Sequence, residues 1–355
     1  MSDRGTLSAR ANVASQTGEV GDAYGALQLF EQLLPDQQEV LGPDHPNVLA
    51  TRASIAAWTG ETGSTRAALE LFHQLLPDQQ RVLGPDHPNV LTTRANIAYW
   101  TGQNGDTHAA LELFHQLLPD QERVLGPDHR QVVSTRHSIA YWTEQAGDVP
   151  AALELFTQLL PDERRALGAD HPDVLATRRN IAVLTGQMGD ARGALERFEQ
   201  LLPDQRRVLG PDHPDVLATR GNIAYWTGEA GDAGGALESF KRLLPDQQRL
   251  LGPDHPNVLT TRHNIGHWTG EAGDPRGALD VFEQVLPLRQ RILGADHPDI
   301  LTTRFNMAAR TAEAGNARAA LKLFEQLLSD QQRILGRKHP DVLRTQIWIR
   351  YLKPN

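Results

Sequence analysis

Cysteine is missing from all 355 residues of this chain. Its absence excludes a disulfide framework, a thiolate metal site and a cysteine nucleophile, and it fits a reducing compartment. Positive charge is also scarce, because 35 Lys and Arg stand against 44 Asp and Glu, for a net charge of −9. Nucleic-acid-binding domains are usually basic, so we expect no nucleic-acid partner.

Long apolar stretches are lacking as well. No run approaches the roughly 18 apolar residues that a transmembrane helix needs, so we expect no membrane partner. The first five residues lead into a polar segment and not into the apolar core of a signal peptide. We therefore predict a soluble, cytoplasmic protein.

Motifs of known catalytic sites do not occur either. The sequence has no Gly-rich phosphate loop, no G-x-S-x-G elbow and no H-E-x-x-H zinc motif. No converging set of nucleophile, base and acid stands out among the remaining residues. We expect no enzymatic activity, no catalytic residue, no cofactor and no bound metal.

What the sequence does contain is an internal repeat. One glycine returns every 42 residues without insertion or deletion, at Gly42, Gly84, Gly126, Gly168, Gly210, Gly252, Gly294 and Gly336. Periods of this size are typical of proteins built from stacked repeats. Such proteins grow along one axis, so residues 1–355 are predicted to form a single array.

Each repeat is predicted to form two antiparallel helices, here called helix A and helix B. In the copy that starts at Gly84, helix A is expected over about 88–101 and helix B from Asp106 onward. The chain opens in a first helix A over 5–18 and closes with a capping helix A over 339–352. This gives an all-α fold of nine A helices and eight B helices.

Both helices have recognisable start and stop signals. Pro88 suits the first turn of helix A, with His87 favoured as its N-cap. Gly105 is typical of a helix end. The residue after each such glycine is a good N-cap for helix B. These residues are Asp22, Ser64, Asp106, Asp148, Asp190, Asp232, Asp274 and Asn316.

Apolar residues indicate which side of each helix is buried. In helix B, Ala110, Phe114 and Leu117 recur at intervals of three or four, which is typical of a core-facing side. A tryptophan in most A helices is interpreted as core between hairpins. These tryptophans are Trp58, Trp100, Trp142, Trp226 and Trp268.

Proline lies inside seven of the eight B helices, at Pro35, Pro77, Pro119, Pro161, Pro203, Pro245 and Pro287. An interior proline removes a backbone hydrogen bond and costs about 3 kcal/mol. We therefore predict a kink at each proline, or a break into two short helices. Ser329 replaces proline in the last copy, so that helix is expected to be straighter.

The closing helix differs from the inner copies in its polar residues. Several of these stand where inner copies carry Asp or Ala. They are Lys338, Arg344, Gln346, Arg350 and Lys353. Repeat arrays need a polar outer face on their terminal units, so we predict that this helix acts as a solubilising cap.

The placed residues resemble the tetratricopeptide repeat. The turn Gly105–Asp106, the small residues Ala98 and Ala110 and the aromatic Phe114 match that motif. The longer unit, with L-G-P-D-H-P before helix A, is similar to the kinesin-light-chain type. Such near-identical copies also look like bacterial, particularly actinobacterial, members. The resemblance implies a right-handed superhelical solenoid whose A helices line a concave groove.

In function, the resemblance implies a non-enzymatic scaffold that binds a protein or peptide segment in this groove. In repeats of this family an asparagine of helix A hydrogen-bonds the bound segment. Carried over by motif, the implied groove residues are Asn96, Asn180, Asn222, Asn264 and Asn306. A local bond between hairpins is the alternative explanation for these asparagines.

The residue three positions after each asparagine lies on the same side of helix A. In three copies it is a tyrosine, namely Tyr99, Tyr141 and Tyr225. Aromatic side chains are favoured at interfaces, so we predict that these tyrosines also contact the partner. Loose variation among the copies explains the same residues.

Histidine and arginine also recur once per copy. The histidines, such as His87, are too far apart for a shared metal site and are predicted to cap helix A. Arg94 and its equivalents are predicted to bridge carboxylates or carbonyls between stacked hairpins, with Asp86 as a candidate partner. Contact with a ligand is the alternative for the arginines.

Two other functions remain open on the sequence alone. Near-identical ends allow one chain to stack on another, which makes a second copy of the chain an alternative partner in a self-assembled structure. The chain also fits the sensor or scaffold portion of a larger signalling protein.

Overall fold

The computed structural model describes residues 4–353. That range contains seventeen α-helices and no strand, as predicted. The A helices are α1 Arg4–Glu19, α3 Pro46–Glu61, α5 Pro88–Gln103, α7 Arg130–Gln145, α9 Pro172–Gln187, α11 Pro214–Glu229, α13 Pro256–Glu271, α15 Pro298–Glu313 and α17 Pro340–Leu352. The B helices are α2 Ala23–Leu41, α4 Thr65–Leu83, α6 Thr107–Leu125, α8 Val149–Leu167, α10 Ala191–Leu209, α12 Ala233–Leu251, α14 Pro275–Leu293 and α16 Ala317–Ile334.

The chain divides into two compact units, Met1–Leu184 and Thr185–Asn355, with the boundary inside α9. Inside each unit, the A helices other than α9 and α17 pack against the B helix that follows them. Successive A helices also touch, α3 with α5 and α5 with α7 in the first unit, and α11 with α13 and α13 with α15 in the second. None of the helices described here is both long and apolar enough to cross a membrane.

The turn from helix A to helix B is built as predicted, on glycine and an acidic cap. Gly105 has φ +96°, a left-handed conformation that favours glycine. The N–H of Asp106 donates to the carbonyl of Thr101 at 3.2 Å and so closes the end of α5. The Asp106 carboxylate then accepts from the N–H of Ala109 at 3.0 Å and caps α6. Ser64 occupies the same position before α4 but makes no side-chain cap bond.

Histidine caps helix A, also as predicted. His87 Nδ1 accepts a hydrogen bond from the N–H of Asn89 at 3.1 Å, and Pro88 follows it in the first helical turn. The same bond recurs at His45, His129, His171, His213, His255, His297 and His339. Each of these histidines therefore has a local structural role.

The predicted break of helix B at its proline is wrong. Helix α6 runs without interruption from Thr107 to Leu125, with Pro119 inside it, and the other proline-containing B helices do the same. The Arg94 guanidinium lies beside this proline. It donates to the carbonyl of Gln116 at 3.4 Å, in the turn that the proline interrupts. A bend at each proline stays a prediction.

The expected bridge between stacked hairpins is wrong for Arg94 but is confirmed at Arg136, which donates to Glu122 of the preceding hairpin at 2.8 Å. Arg94 donates to the carboxylate of Asp120 at 2.7 Å, so it joins the two helices of its own hairpin and not two stacked hairpins. The same pair, 26 residues apart, recurs at Arg52–Asp78, Arg136–Asp162, Arg220–Asp246 and Arg304–Asp330. Asp86 instead receives two hydrogen bonds from Arg123, at 2.6 and 2.9 Å, which hold its pKa below the ordinary value.

Tryptophan and glycine interlock successive A helices. A Cβ atom placed on Gly60 or Gly102 would lie 2.4 Å from the ring of Trp100 or Trp142, respectively. Real carbon atoms do not approach so closely, so glycine is needed for the ring to pack there. Trp100, Trp142 and Trp268 are buried, which confirms their prediction as core between hairpins.

The closing helix α17 is predicted to be a polar cap, but one of its faces is apolar and exposed. Its basic residues are exposed as expected, but Leu343, Ile347 and Tyr351 are 49, 65 and 79% exposed. Their spacing of four residues places them on one side of the helix. The equivalent residues of α15 are buried because α16 packs against them, whereas no further helix follows α17 in the part of the chain described here.

Candidate functional site

A cleft opens between the A helices α11 and α13, in the unit Thr185–Asn355. Its volume is about 420 Å³. The two A helices form its walls and α12 forms its floor. The lining residues are Pro214, Leu217, Ala218, Gly221, Asn222, Tyr225, Phe240, Gln247, Leu251, Asn257, Thr260, Thr261 and Asn264. Three predicted site residues, Asn222, Tyr225 and Asn264, are thus brought together.

Gly221 explains why a cleft forms at this place. In α7 and α13, the side chain at the equivalent position packs against the buried phenylalanine of the helix B that follows. The ring centroids of His137 and Phe156 are 5.2 Å apart, and those of His263 and Phe282 are 5.1 Å apart. Because Gly221 has no side chain, no such ring lies over the floor of the cleft.

The floor of the cleft is mainly apolar and carries one polar pair. Phe240 and Gln247 are 1 and 5% exposed. The hydroxyl of Thr261 donates to Gln247 Oε1 at 2.6 Å, so the buried amide oxygen already has a partner. An apolar surface with few polar groups is typical of ligand sites.

The polar groups on the walls remain partly accessible. Asn222 and Asn264 are half-buried, and Tyr225 is 38% exposed. Partial burial raises the pKa of the Tyr225 hydroxyl above its ordinary value, with Glu229 nearby as a smaller cause. Tyr225 is therefore neutral at physiological pH and can donate a hydrogen bond. An amide side chain both donates and accepts, as a peptide backbone requires.

Two of the predicted residues in the first unit, both tyrosines, belong to an aromatic cluster. Tyr99 on α5 and Tyr141 on α7 meet the ring of Trp142 edge-on, at centroid distances of 6.3 and 5.0 Å. Asn96 is half-buried one helical turn before Tyr99, and Asn180 is half-buried on α9. The cleft described above does not include these residues.

Asn306 is engaged within the protein. Its amide nitrogen lies 3.1 Å from His263 Nε2, and Nδ1 of this imidazole lies 3.2 Å from the hydroxyl of Thr303. That hydroxyl also accepts from the buried guanidinium of Arg289 at 2.9 Å. Burial, with a smaller effect of Arg289, lowers the pKa of His263 to about 3, so the imidazole is neutral. His263 is the α13 equivalent of Gly221, so in this copy an imidazole occupies the space that Gly221 leaves open in α11.

Sequence reasoning overlooked two series of positions. One is the residue before each asparagine, which is Gly221 in α11 and a larger residue elsewhere. The other is a buried residue near the end of helix B. It is glutamine in six copies but Glu163 in α8 and Arg289 in α14. Comparison of the copies shows both exceptions, but only the structure shows that these positions lie at the walls and floors between A helices.

Comparison with known proteins agrees with this architecture. Two family models, both described as tetratricopeptide repeat, match the chain. One matches residues 6–47, 48–89 and 174–215, and the other matches 96–161, 229–291 and 278–331. The chain belongs to the tetratricopeptide repeat family.

Several solved structures are similar to this chain. BtubC (BKLC) from P. vanneervenii is 18% identical, with a TM-score of 0.52 over 70% of this chain and 94% of that one. A signal transduction ATPase (STAND) protein with a tetratricopeptide repeat sensor, from Pyrococcus horikoshii, is 10% identical. Its TM-score is 0.65 over 99% of this chain and 49% of that one. At these identities the likeness shows the fold alone.

A third solved structure is also similar. It is a putative kinesin light chain with nearly identical TPR-like repeats from Podosopora anserina, 26% identical, with a TM-score of 0.48 over 58% of this chain and 97% of that one. No curated protein matches the chain. Tetratricopeptide repeats generally mediate protein interactions and are typically non-enzymatic.

Proposed function

We propose that this tetratricopeptide repeat protein binds an extended segment of another protein along its A helices, with the cleft at Gly221 as its main anchoring site. The observation that carries the proposal is the convergence of Asn222, Tyr225 and Asn264 around an apolar floor. The family resemblance implies Asn222 and Asn264 as groove residues, and the helical spacing predicts Tyr225 beside them.

The cleft supplies two kinds of interaction that an extended peptide needs. The amides of Asn222 and Asn264 can pair with the N–H and C=O groups of a peptide backbone, which require partners once they leave water. The apolar floor around Phe240 can accept one side chain of the segment. A side chain buried in a pocket usually contributes more binding free energy than the surrounding contacts.

Replacing Gly221 with histidine should weaken peptide binding. The imidazole would lie over Phe240, as His137 and His263 lie over their own phenylalanines, and would fill the cleft. The probe is a peptide selected from a random display library on the wild-type chain. We expect its affinity, measured by fluorescence anisotropy, to fall by a factor on the order of ten or more.

The matched control is Ala95→His, which places the same side chain at the equivalent position of α5. Histidine is accommodated at this position in two other copies, so both variants should retain the helical circular dichroism of the wild type. The control should bind the peptide with unchanged affinity. The proposal would be wrong if Gly221→His bound as tightly as the wild type, or if both variants lost affinity equally.

Self-association is a second candidate function, favoured by the exposed apolar face of α17. Leu343, Ile347 and Tyr351 offer a second copy of the chain a continuous apolar contact. If this contact forms, the mass from light scattering rises with concentration in the wild type and stays monomeric in Ile347→Glu. Met188→Glu, at an exposed apolar residue away from both ends of the chain, should behave as the wild type. A wild-type chain that is monomeric at every concentration would exclude this function.

A further inference from the structure

A smaller cleft lies between the A helices α7 and α9, within the unit Met1–Leu184. Its volume is about 200 Å³, enough for one side chain. Helix α8 forms its floor, where Glu163 lies only 1% exposed. Arg130 and His137 line the cleft from α7, and Asp173 lines it from the start of α9.

The carboxylate of Glu163 is only half satisfied. Its Oε1 lies 3.2 Å from His137 Nδ1, which in turn lies 3.0 Å from the hydroxyl of Thr177. Its Oε2 is buried and has no hydrogen-bond partner. A buried carboxylate oxygen without a hydrogen-bond partner costs free energy, because it has lost its contact with water.

Glutamine is the residue that the fold normally has at this position. The equivalent residues of the other B helices are Gln37, Gln79, Gln121, Gln205, Gln247, Arg289 and Gln331. Glutamate has the same shape as glutamine and differs in charge. Packing therefore gives no reason for Glu163, and its negative charge is what distinguishes this copy.

The other charged groups of the cleft do not neutralise Glu163. Arg130 and Asp173 have opposite charges, and both are exposed at the rim. Among the contacts described for Glu163, the one with a titratable group is that with His137, at 3.2 Å. The floor of the cleft is thus an acceptor site of negative character.

We propose that this cleft binds the ammonium group of a lysine side chain. The ammonium is a compact charge with three donors, which can pair with the free Oε2. A guanidinium binds carboxylates best through two parallel hydrogen bonds, but Oε1 is already engaged by His137. The site therefore selects lysine over arginine.

The lysine belongs to the segment bound by the protein, and in this respect the inference rests on the proposed function. The cleft lies between neighbouring A helices, as does the cleft at Gly221 in the other unit. The cleft at Glu163 would therefore select segments that carry lysine at one position.

The test uses the full chain and a small probe, N-acetyl-lysine methylamide, with binding followed by NMR. We expect saturable shifts of resonances from residues around Glu163, with a dissociation constant on the order of millimolar. The norleucine analogue has the same apolar stem without the charge and should not bind. The arginine analogue should bind several-fold more weakly.

Glu163→Gln is the matched variant, because glutamine occupies this position in six other copies. It should fold with a melting temperature equal to or higher than that of the wild type, yet bind the lysine probe at least tenfold more weakly. Equal binding of the lysine probe to Glu163→Gln would overturn the proposal. Equal binding of the norleucine or arginine analogue to the wild type would also overturn it.

This experiment separates the inference from the proposed function. Gly221 lies in the other unit, so Gly221→His should bind the lysine probe as the wild type does. A chain that binds selected peptides through Gly221 but ignores the lysine probe refutes the inference alone. A chain that binds the probe but no peptide refutes the proposed function alone.

Discussion

Replacing Gly102 with valine is expected to lower the free energy of unfolding by about 3 kcal/mol. The new Cβ would lie 2.4 Å from Trp142 Cζ2, and the indole ring cannot bend away as a flexible chain end can. Valine has a slightly better helix propensity than glycine, by a few tenths of a kcal/mol, so the overlap dominates. Urea denaturation followed by circular dichroism measures the change.

A second substitution should restore much of this loss. The repeat contains a natural example, because Glu144 replaces the glycine in α7 and the residue 40 positions later is Leu184 instead of tryptophan. The double variant Gly102→Val, Trp142→Leu should therefore be more stable than Gly102→Val alone. If the single variant is as stable as the wild type, the interlock between A helices does not form.

Gly221→Ala is the control for the general effect of replacing a glycine inside a helix. A Cβ at this position would lie 3.6 Å from the nearest atom, Leu243 Cδ2, which is an ordinary contact. Alanine is favoured over glycine inside a helix by about 1 kcal/mol. This variant should therefore gain up to about that amount, the opposite sign to Gly102→Val.

Replacing Phe114 with alanine is expected to lower the free energy of unfolding by about 4 kcal/mol. Phe114 is 2% exposed and belongs to a cluster with Ala98 of its own hairpin and Ile139 and Trp142 of the next. Its removal would leave a cavity that weakens both the hairpin and its interface with the neighbour. Thermal denaturation would show the loss.

Because neighbouring repeats stabilise each other, the unfolding transition of Phe114→Ala should also be broader than that of the wild type. Leu323→Ala is the control, since Leu323 on α16 is 37% exposed and should cost no more than about 0.5 kcal/mol. Equal losses in the two variants would mean that burial at Phe114 does not contribute to stability.

Much of the fold can be predicted because its signals are local. The cap at Asp106, the left-handed Gly105 and the histidine cap at His87 act within a few residues of their own positions. A repeat also gives each signal eight or nine times. Element types and boundaries therefore follow from the sequence to within one or two residues.

The site can be predicted only in part. The asparagine and tyrosine series identify Asn222, Tyr225 and Asn264, since helical spacing places them on one side of helix A. The same series includes Asn306, whose amide is engaged by His263. Whether a copy keeps an open cleft depends on the residue directly before the asparagine, such as Gly221. It also depends on the residues of helix B that this side chain would cover.

The sequence by itself determined the period, the hairpins and the caps, because these depend on residues that are close together in the chain. Only the tertiary structure decided which carboxylate Arg94 binds, where the clefts open, and which face of α17 lacks cover. The physical reason is that these features are contacts between side chains about 26 to 40 residues apart. Near-identical copies offer each side chain several equivalent partners, and packing selects among them.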